Sequence, residues 1–507
     1  MTVGQLLYAL VRVLPPEQRP ASVPDARTRA LDIEASGVTH DSRRTKPGSI
    51  FVALRGLTTD GVRFAPQAIA SGAAAVVAER PPETFTPVPW LLVPDARLAL
   101  ALLAAEFYGH PSRRMQVVGI TGTNGKTTTA YLLSATFEAA GVRCGLMGTV
   151  KYRVGDREFD ATRTTPEAPD VEDLLHQMVE AGCGACVMEV SSHALALRRV
   201  DGMQFAAAVF TNLTRDHLDF HADMEDYFAA KRRLFDMLPD AAPAVVNLDD
   251  PRGASLVERT GNPVTYAIGK PADVAPGPLS FSLEGLQFDV RTPAGVVPVR
   301  SKLVGRPNVY NILAAVGTAT ALGLPLDTIA RGLAQLPGVP GRFEIASSAK
   351  DDITVVIDYA HTDDALRNLL ETARPLAPER LITVFGAGGD RDRTKRPLMG
   401  MVAARLSDVV VVTSDNPRSE DPMRIIDEVM RGVRAELRQG STEALTVIDR
   451  RDAIRQAIER AASGDVVLIA GKGHEKYQEV AGRVFPFDDV AVAREALSAR
   501  RLRAKVS

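Results

Sequence analysis

Short apolar runs alternate with longer stretches of amphipathic pattern along most of the chain, and their order predicts its architecture. From Met115 onward, apolar runs at 115–121, 185–191, 206–213 and 244–248 read as strands, with helices near 127–140, 170–181 and 224–238 between them. Such alternation predicts a mostly parallel sheet covered on both faces. Helices near 308–323 and 326–336 lead into Pro337-Gly338-Val339-Pro340-Gly341, a stiff and turning linker. Beyond it the alternation restarts, with strands at 353–358, 380–385, 408–413 and 465–470 and helices near 364–374, 396–406, 424–437 and 451–462. This predicts a second, Rossmann-like α/β unit. Ahead of 115, the runs 49–54, 73–77 and 90–93 read as short strands among helical segments, and a helix-like run over 98–108 ends at Gly109-His110-Pro111-Ser112. The expected fold is α/β in three domains, 1–112, 113–340 and 341–507.

Composition agrees with that size. A chain of 507 residues, 45% apolar and 24% charged, has material for about three full cores. A net charge of -2 gives no general attraction to nucleic acid or to an anionic membrane. No stretch reaches membrane-spanning length, and Met1 to Val13 lacks a basic segment followed by a long apolar core, so a cytoplasmic protein without membrane insertion is expected. Three cysteines make no disulfide framework, and the pair Cys183 and Cys186, alone of its kind, reads as structural. The basic tail from Arg500 to Lys505 reads as a solvated helix end.

Chemistry enters at Val117 to Thr129, an apolar strand running into Gly122-Thr123-Asn124-Gly125-Lys126-Thr127-Thr128 and a helix start. Glycines let backbone N–H groups point inward, Lys126 adds a compact positive charge, and Thr127 offers a hydroxyl to Mg2+ at a helix end that favours anions. The spacing departs from the usual G-x-x-x-x-G-K-[ST] loop, since Ile120 stands at the first glycine position. Two clusters follow later strand ends, where ligands of parallel sheets bind. Glu189, before Ser191-Ser192-His193, is the magnesium candidate, because that ion favours oxygen ligands. His217 and His221 have a spacing that could suit zinc, but a third ligand is not obvious, and His217 is preferred as an aid to a magnesium site. Lys231, by itself, reads as a surface helix lysine.

Six separated motifs then agree in order over nearly the whole chain: Gly122 to Thr128, Glu189-Val-Ser-Ser-His193, Asn212-Leu-Thr-Arg-Asp-His-Leu-Asp219, Asn308-Val-Tyr-Asn-Ile312, Asp358-Tyr-Ala-His361 and Gly471-Lys-Gly-His-Glu475. Together they resemble the ATP-dependent Mur ligases. The resemblance implies three domains that bind, in turn, a UDP-sugar peptide, ATP and an incoming amino acid. It implies amide formation through an acyl phosphate on the γ-carboxylate of UDP-N-acetylmuramoyl-L-alanyl-D-glutamate. That step belongs to peptidoglycan precursor synthesis, and through it to cell-wall growth, shape and division.

Residue by residue, the resemblance puts ATP on Gly122 to Thr128, with Asn308, Asn311, Arg342 and Asp358 at its base and ribose. It puts Mg2+ on Thr127, Glu189, His217 and Lys231, the lysine as a carbamate. The catalytic residues expected are Lys126, Glu189, His217 and Lys231. The UDP-sugar dipeptide falls to Ser42, Thr164, Thr165, Ser191 and Arg199, with Leu57 and Thr58 before Asp60-Gly61 in the uridine region. Leu197 stands where many relatives place a substrate-touching glutamine, and Asp363 replaces a common proline, which should alter only a helix cap.

The choice of amino acid can be argued from Asp415-Asn416-Pro417-Arg418. Meso-diaminopimelate differs from lysine by one far carboxylate, which calls for a bidentate cation, and Arg418 is that cation. Arg391 could hold the other carboxylate, while Gly471 and Glu475 match positions that bind the far amino group. Meso-diaminopimelate is therefore expected over L-lysine, the work being that of a monomer on small molecules with no nucleic-acid partner. The alternatives are ligation of L-lysine, a folylpolyglutamate synthase-like ligase, and a non-catalytic nucleotide switch.

Overall fold

The computed structural model describes residues 1–20, 29–56, 59–437 and 442–504, which leaves Leu57, Thr58 and Lys505 outside the described residues. Four parallel strands, Gly37–Thr39, Ser49–Ala53, Ala75–Ala78 and Trp90–Leu92, form the first sheet in that order. Helix Val3–Val13 starts from a capping box between Thr2 and Gln5. Its Val3, Leu6, Leu7 and Leu10 pack with Leu100 and Leu103 of helix Ala96–Phe107 into one buried cluster.

The second sheet has eight strands in the order Pro263–Tyr266, Ala244–Asn247, Ala207–Phe210, Gln116–Thr121, Ala185–Glu189, Cys144–Met147, Lys151–Val154 and Arg157–Asp160. The first six run parallel and the last two turn back antiparallel. Strand Ala207–Phe210 stops short of the expected 213. Beyond it the side chains of Thr211 and Asn212 donate to the carbonyl of Asn124, at 2.7 and 3.1 Å, in the Gly-rich loop. A separate antiparallel sheet built from Ala275–Pro276, Ser280–Ser282, Gly285–Thr292 and Gly295–Ser301 has no counterpart among the expected elements. Its strands alternate buried and exposed residues, and Leu286, Phe288, Val290, Val297 and Val299 join the core under helix Arg306–Ala321.

The third sheet runs Glu344–Ile345, Thr354–Asp358, Val466–Ala470, Leu381–Phe385, Val409–Val412, Glu443–Thr446, all parallel after the first. Helices Asp363–Ala373, Lys395–Leu406 and Pro422–Leu437 cover one face, and Arg450–Arg460 and Asp489–Ala504 the other. The last helix corrects the reading of a solvated tail: Arg500 pairs with Asp352 at 2.7 Å and Arg501 pairs with Asp351, which clamps the helix to the loop before Thr354. Arg450 and Asp489 form a fully buried pair at 2.7 Å beneath this face. All three cysteines are free and buried, as a structural reading of Cys183 and Cys186 requires. Among the described residues no helix is long and apolar enough to cross a membrane.

Candidate functional site

The loop after strand Gln116–Thr121 needs its glycines. Gly122 has φ +144° and Gly125 φ +89°, and a Cβ would fall 1.9 Å from Thr211 Oγ1 at the first and 2.3 Å from Asn311 Oδ1 at the second. The backbone is therefore held open ahead of helix Lys126–Ala139, whose N-terminus carries the partial positive charge suited to phosphate. Lys126 Nζ donates to the carbonyls of Gly122 and Thr123, both at 2.9 Å, which folds the lysine over the loop. Burial pulls its pKa down, against the opposing pull of Glu189 and Asp216.

Glu189, 1% exposed at its strand end, faces this helix start. Thr127 Oγ1 donates to its Oε2 at 3.0 Å, Thr149 Oγ1 donates to the same oxygen at 3.0 Å, and the Thr149 N–H donates to Oε1 at 2.8 Å. Thr149 was not singled out by any motif. It also touches Thr164, with 3.1 Å between hydroxyl oxygens, and so ties the carboxylate to the next group. Thr165 Oγ1 donates to the Glu189 carbonyl at 2.9 Å and accepts from the Ser191 N–H at 3.1 Å, while Arg199 Nη1 donates to the Thr165 carbonyl at 3.0 Å. Thr164, Thr165, Ser191 and Arg199 are thus brought together beside the phosphate loop. Ser42 lies in the first domain and donates to Gln67 at 2.9 Å, and nearby Arg44 reaches Asp170 of helix Ala168–Glu180 at 2.8 Å. Leu197, at the end of the short helix Ser192–Ala196, makes no side-chain hydrogen bond of the kind a glutamine there could make.

Lys231 is buried, not on the surface as its local sequence alone suggested. It projects from helix Met224–Asp236, whose cap Asp223 accepts from the N–H groups of Glu225 and Asp226. Its Nζ donates to the Gly122 carbonyl at 2.7 Å and lies 4.3 Å from the centroid of the Tyr227 ring. Burial, and then the nearby charge of Lys126, hold its pKa well below that of an ordinary lysine. His217 has φ +55°, and its ring meets those of His193 and Tyr227 edge to face, with centroids 4.9 and 5.9 Å away. Burial keeps its ring below the usual histidine pKa despite Asp216, 3.4 Å away. His221 turns elsewhere, to Ser192 at 2.9 Å and Asp226 at 3.2 Å. Among the described residues no group of three or more His, Cys, Asp or Glu is placed to hold a metal by itself.

Asn308 and Asn311 are buried in helix Arg306–Ala321 and bond one another at 2.9 Å. Asn311 Oδ1 accepts from Thr129 at 3.4 Å, and Asn308 donates to the Val304 carbonyl at 2.8 Å. They brace the back of the phosphate loop. Arg342, after the linker, reaches across to it: Nη2 donates to Thr127 Oγ1 at 3.2 Å, and the guanidinium lies 4.6 Å from the Tyr359 ring centroid. Asp358 accepts from the N–H groups of Phe343 and Ala360, at 2.7 and 2.8 Å, and burial pushes its pKa up. Asn124 also donates to Asp364 at 2.9 Å, so the two halves are closed on each other.

A cavity of about 550 Å³ opens at this junction, lined at one end by Thr149, Thr164, Asp216 and His217 and at the other by Arg391, Asp415, Asn416, Arg418, Gly471 and Glu475. Lys472, quoted in a motif but given no role, organises the far end. It is fully buried, and its Nζ donates to Asn416 Oδ1 at 2.8 Å and lies 3.4 Å from Glu475 and 3.5 Å from Asp415. Its charge helps hold Asp415 ionised against burial, whereas burial and Asp415 push the Glu475 pKa up. Gly471, φ +117°, lets the chain pass Asp415, since a Cβ would fall 2.4 Å from its Oδ2. Arg418, φ +52°, donates from Nη1 to the Gly389 carbonyl at 2.6 Å, and Arg391 Nη1 to the Asp390 carbonyl at 3.3 Å. Pro417 contributes its backbone turn, accepting from the Glu420 N–H at 2.9 Å.

A phosphate loop closed over by a second α/β domain, with a cation-rich and acid-rich cavity between them, defines a nucleotide-using transferase or ligase of three α/β domains. The chain belongs to the Mur ligase family. Residues 34–108 match the Mur ligase family catalytic domain, 120–319 the Mur ligase middle domain, and 341–473 the Mur ligase glutamate ligase domain. A UDP-N-acetylmuramoyl-L-alanyl-D-glutamate--2,6-diaminopimelate ligase from Gloeobacter violaceus is 49% identical over 94% of this chain and 96% of its own length. One of the same name from Solibacter usitatus is 47% identical over 98% of both. A solved structure of a ligase with that name aligns over 99% of both chains with a TM-score of 0.68 and 33% identity.

Proposed function

We propose that this chain joins meso-2,6-diaminopimelate to UDP-N-acetylmuramoyl-L-alanyl-D-glutamate, with conversion of ATP to ADP and phosphate. The observation that carries this reading is the cavity in which Thr164 and His217 stand opposite Arg391, Arg418, Asp415 and Glu475. Two guanidinium groups suit the two carboxylates of diaminopimelate, and two acids suit an ammonium, a pattern lysine would leave half unmatched. The names of the relatives support the same amino acid.

A carboxylate is a poor acyl donor, so ATP must first supply a leaving group. A γ-carboxylate oxygen of the D-glutamate residue attacks the γ-phosphorus, and the bond to the β,γ-bridging oxygen breaks with its electron pair going to ADP. The amine of diaminopimelate, having given up its proton, attacks the acyl carbon, and the C–O bond breaks to release phosphate. Thr164, Thr165, Ser191 and Arg199 orient the dipeptide, Lys126 and the loop N–H groups hold the triphosphate, and Arg342 draws the third domain onto it. Asn308, Asn311 and Asp358 fix the walls beside base and ribose. Catalysis is then mostly charge neutralisation and positioning of two anions.

The oxygens of Thr127 and Glu189, 3.0 Å apart at a helix N-terminus, fit the hard oxygen set that Mg2+ prefers. Mg2+ bound there would neutralise phosphate charge. A second ion would fall to His217 and Lys231, the latter as a carbamate. A neutral amine adds CO2 and releases a proton to give that anion, and the depressed pKa of Lys231 supports it. Action as a monomer in the cytoplasm is part of this reading, and the three free, buried cysteines fit a reducing compartment.

The test supplies purified protein with ATP, Mg2+ and the nucleotide dipeptide and offers a panel of amino acids. ADP release and a product heavier by one diaminopimelate residue, dependent on both substrates, are expected. ADP release with lysine alone, or nucleotide binding without release, would replace this reading.

A further inference from the structure

Five lysines and arginines line the junction cavity: Arg163, Arg391, Lys395, Arg418 and Lys476. Four of them are already engaged. Arg163 pairs with Glu167 and Lys476 with Asp488, while Arg391 and Arg418 donate to the carbonyls of Asp390 and Gly389. The Lys395 side chain has no hydrogen bond or ion pair to any described residue, although the residue is only 8% exposed. The amine lines the cavity with no protein acceptor of its own, and such a head is suited to a ligand that carries negative charge.

Lys395 opens helix Lys395–Leu406, so the helix dipole adds to its charge. The preceding Thr394 accepts a hydrogen bond from Arg215, which lays this helix end against the loop of Asp216 and His217. Lys395 therefore stands between the phosphate-loop end of the cavity and the end that Arg391 and Arg418 occupy. Its charge acts on both Asp216 and His361, the near walls on either side. The anion that must form at this place, resting on the function proposed above, is the phosphoryl group after it has left ADP.

We infer that Lys395 is a catalytic residue that holds the phosphoryl oxygens of the acyl phosphate, receiving the group as Lys126 releases it. The bond changes are those already given: charge moves from the γ-phosphate of ATP to the acyl phosphate and leaves as inorganic phosphate. Lys395 donates hydrogen bonds throughout and exchanges no proton.

The experiment compares wild type with Lys395→Met and Lys395→Arg. With ATP and the nucleotide dipeptide but no diaminopimelate, borohydride traps the acyl phosphate as the alcohol. Full turnover is measured alongside. For Lys395→Met, kcat should fall about 100-fold, as for loss of one oxyanion donor. Trapped alcohol should fall with it, and the KM for diaminopimelate should stay within about twofold. Lys395→Arg should recover about a tenth or more of the lost rate, because charge and donors are kept. Undiminished alcohol with a raised KM for diaminopimelate would overturn the inference and make Lys395 an amino-acid contact. A fall in kcat matched by a fall in Tm, without recovery in the arginine variant, would make it structural. If Lys395→Met does not fold, Lys395→Arg decides: retained trapping supports the inference, and a folded arginine variant without trapping overturns it. Failure of wild type itself to yield alcohol or ADP would instead strike the proposed function.

Discussion

Arg342 Nη2 lies 3.2 Å from Thr127 Oγ1, so the first arginine after the linker touches the hydroxyl that opens the phosphate-loop helix. The contact spans two domains, and with the stacking on Tyr359 it lets one guanidinium reach from the third domain to the phosphate loop. A hydrogen bond to a charged group contributes about 1.5–3 kcal/mol. Arg342→Ala should therefore lower kcat/KM for ATP by about 10- to 100-fold with little change in Tm. Steady-state kinetics with ATP varied would show it, and an unaltered value would mean the contact plays no part in turnover.

Lys231 sits where an ammonium is disfavoured, between burial and Lys126. On the carbamate proposed above, Lys231→Ala should lose about 100-fold or more in kcat, because the anion that would serve the metal site is gone. Acetate, formate or bicarbonate should return part of it to the alanine variant. Mass spectrometry of the wild type under CO2 should find the added mass on this residue. Alanine-variant activity that no short carboxylate restores would count against the carbamate.

Arg418 is held in a left-handed backbone conformation with Nη1 on the Gly389 carbonyl and Nε 3.4 Å from Glu479, which leaves Nη2 for the cavity. Removing one partner of a desolvated charge pair costs about 2–5 kcal/mol. Arg418→Ala should accordingly lower kcat/KM for diaminopimelate by at least about 30-fold while ATP binding stays. Arg418→Lys should recover little, since a point charge cannot replace a fork. Equal loss of nucleotide and amino-acid binding would show that the pocket lies elsewhere.

Glu172 is buried in helix Ala168–Glu180 with Oε2 unpartnered, and burial pushes its pKa up to about 8, with only Arg113 acting the other way. Its folded pKa is raised above the unfolded value, so the contribution to stability is full below the ordinary carboxylate range. It is lost as pH rises through about 8. Across that window the slope is about 1.4 kcal/mol per pH unit for one group. Glu172→Gln should flatten the fall in Tm between pH 5 and 8 and be the more stable form at the alkaline end. A scan of Tm against pH in both proteins checks this, and parallel curves would contradict it.

The strands and helices that carry the site were legible because their residues are buried on both faces and so read as unbroken apolar runs, as at Gln116–Thr121 and Val466–Ala470. Glu189, His217, Arg418 and Glu475 follow such strands or stand in short motifs, and were singled out for that reason. The antiparallel strands Gly285–Thr292 and Gly295–Ser301 were missed although their burial alternates, since half of each faces solvent and the apolar signal is thinned. Thr149 and Lys395 carry no local signal at all. A threonine after a glycine and a lysine at a helix start are ordinary, and their meaning lies in what is opposite them.

What the order of residues settled unaided was the division into three α/β units and the phosphate loop, because backbone demands at glycines and the periodicity of burial are local; the kind of reaction followed from the resemblance of six motifs to the Mur ligases. What only the tertiary structure decided was which charges meet. Lys231 is buried against Gly122, Lys472 gathers Asn416 and Glu475, Arg342 closes on Thr127, and Lys395 is left facing the cavity without a partner. Those outcomes depend on burial and on distances of 2.7 to 3.4 Å, most of them between residues 56 to 215 positions apart, and electrostatic energy is set by separation in space and by solvent exclusion, neither of which is written along a chain.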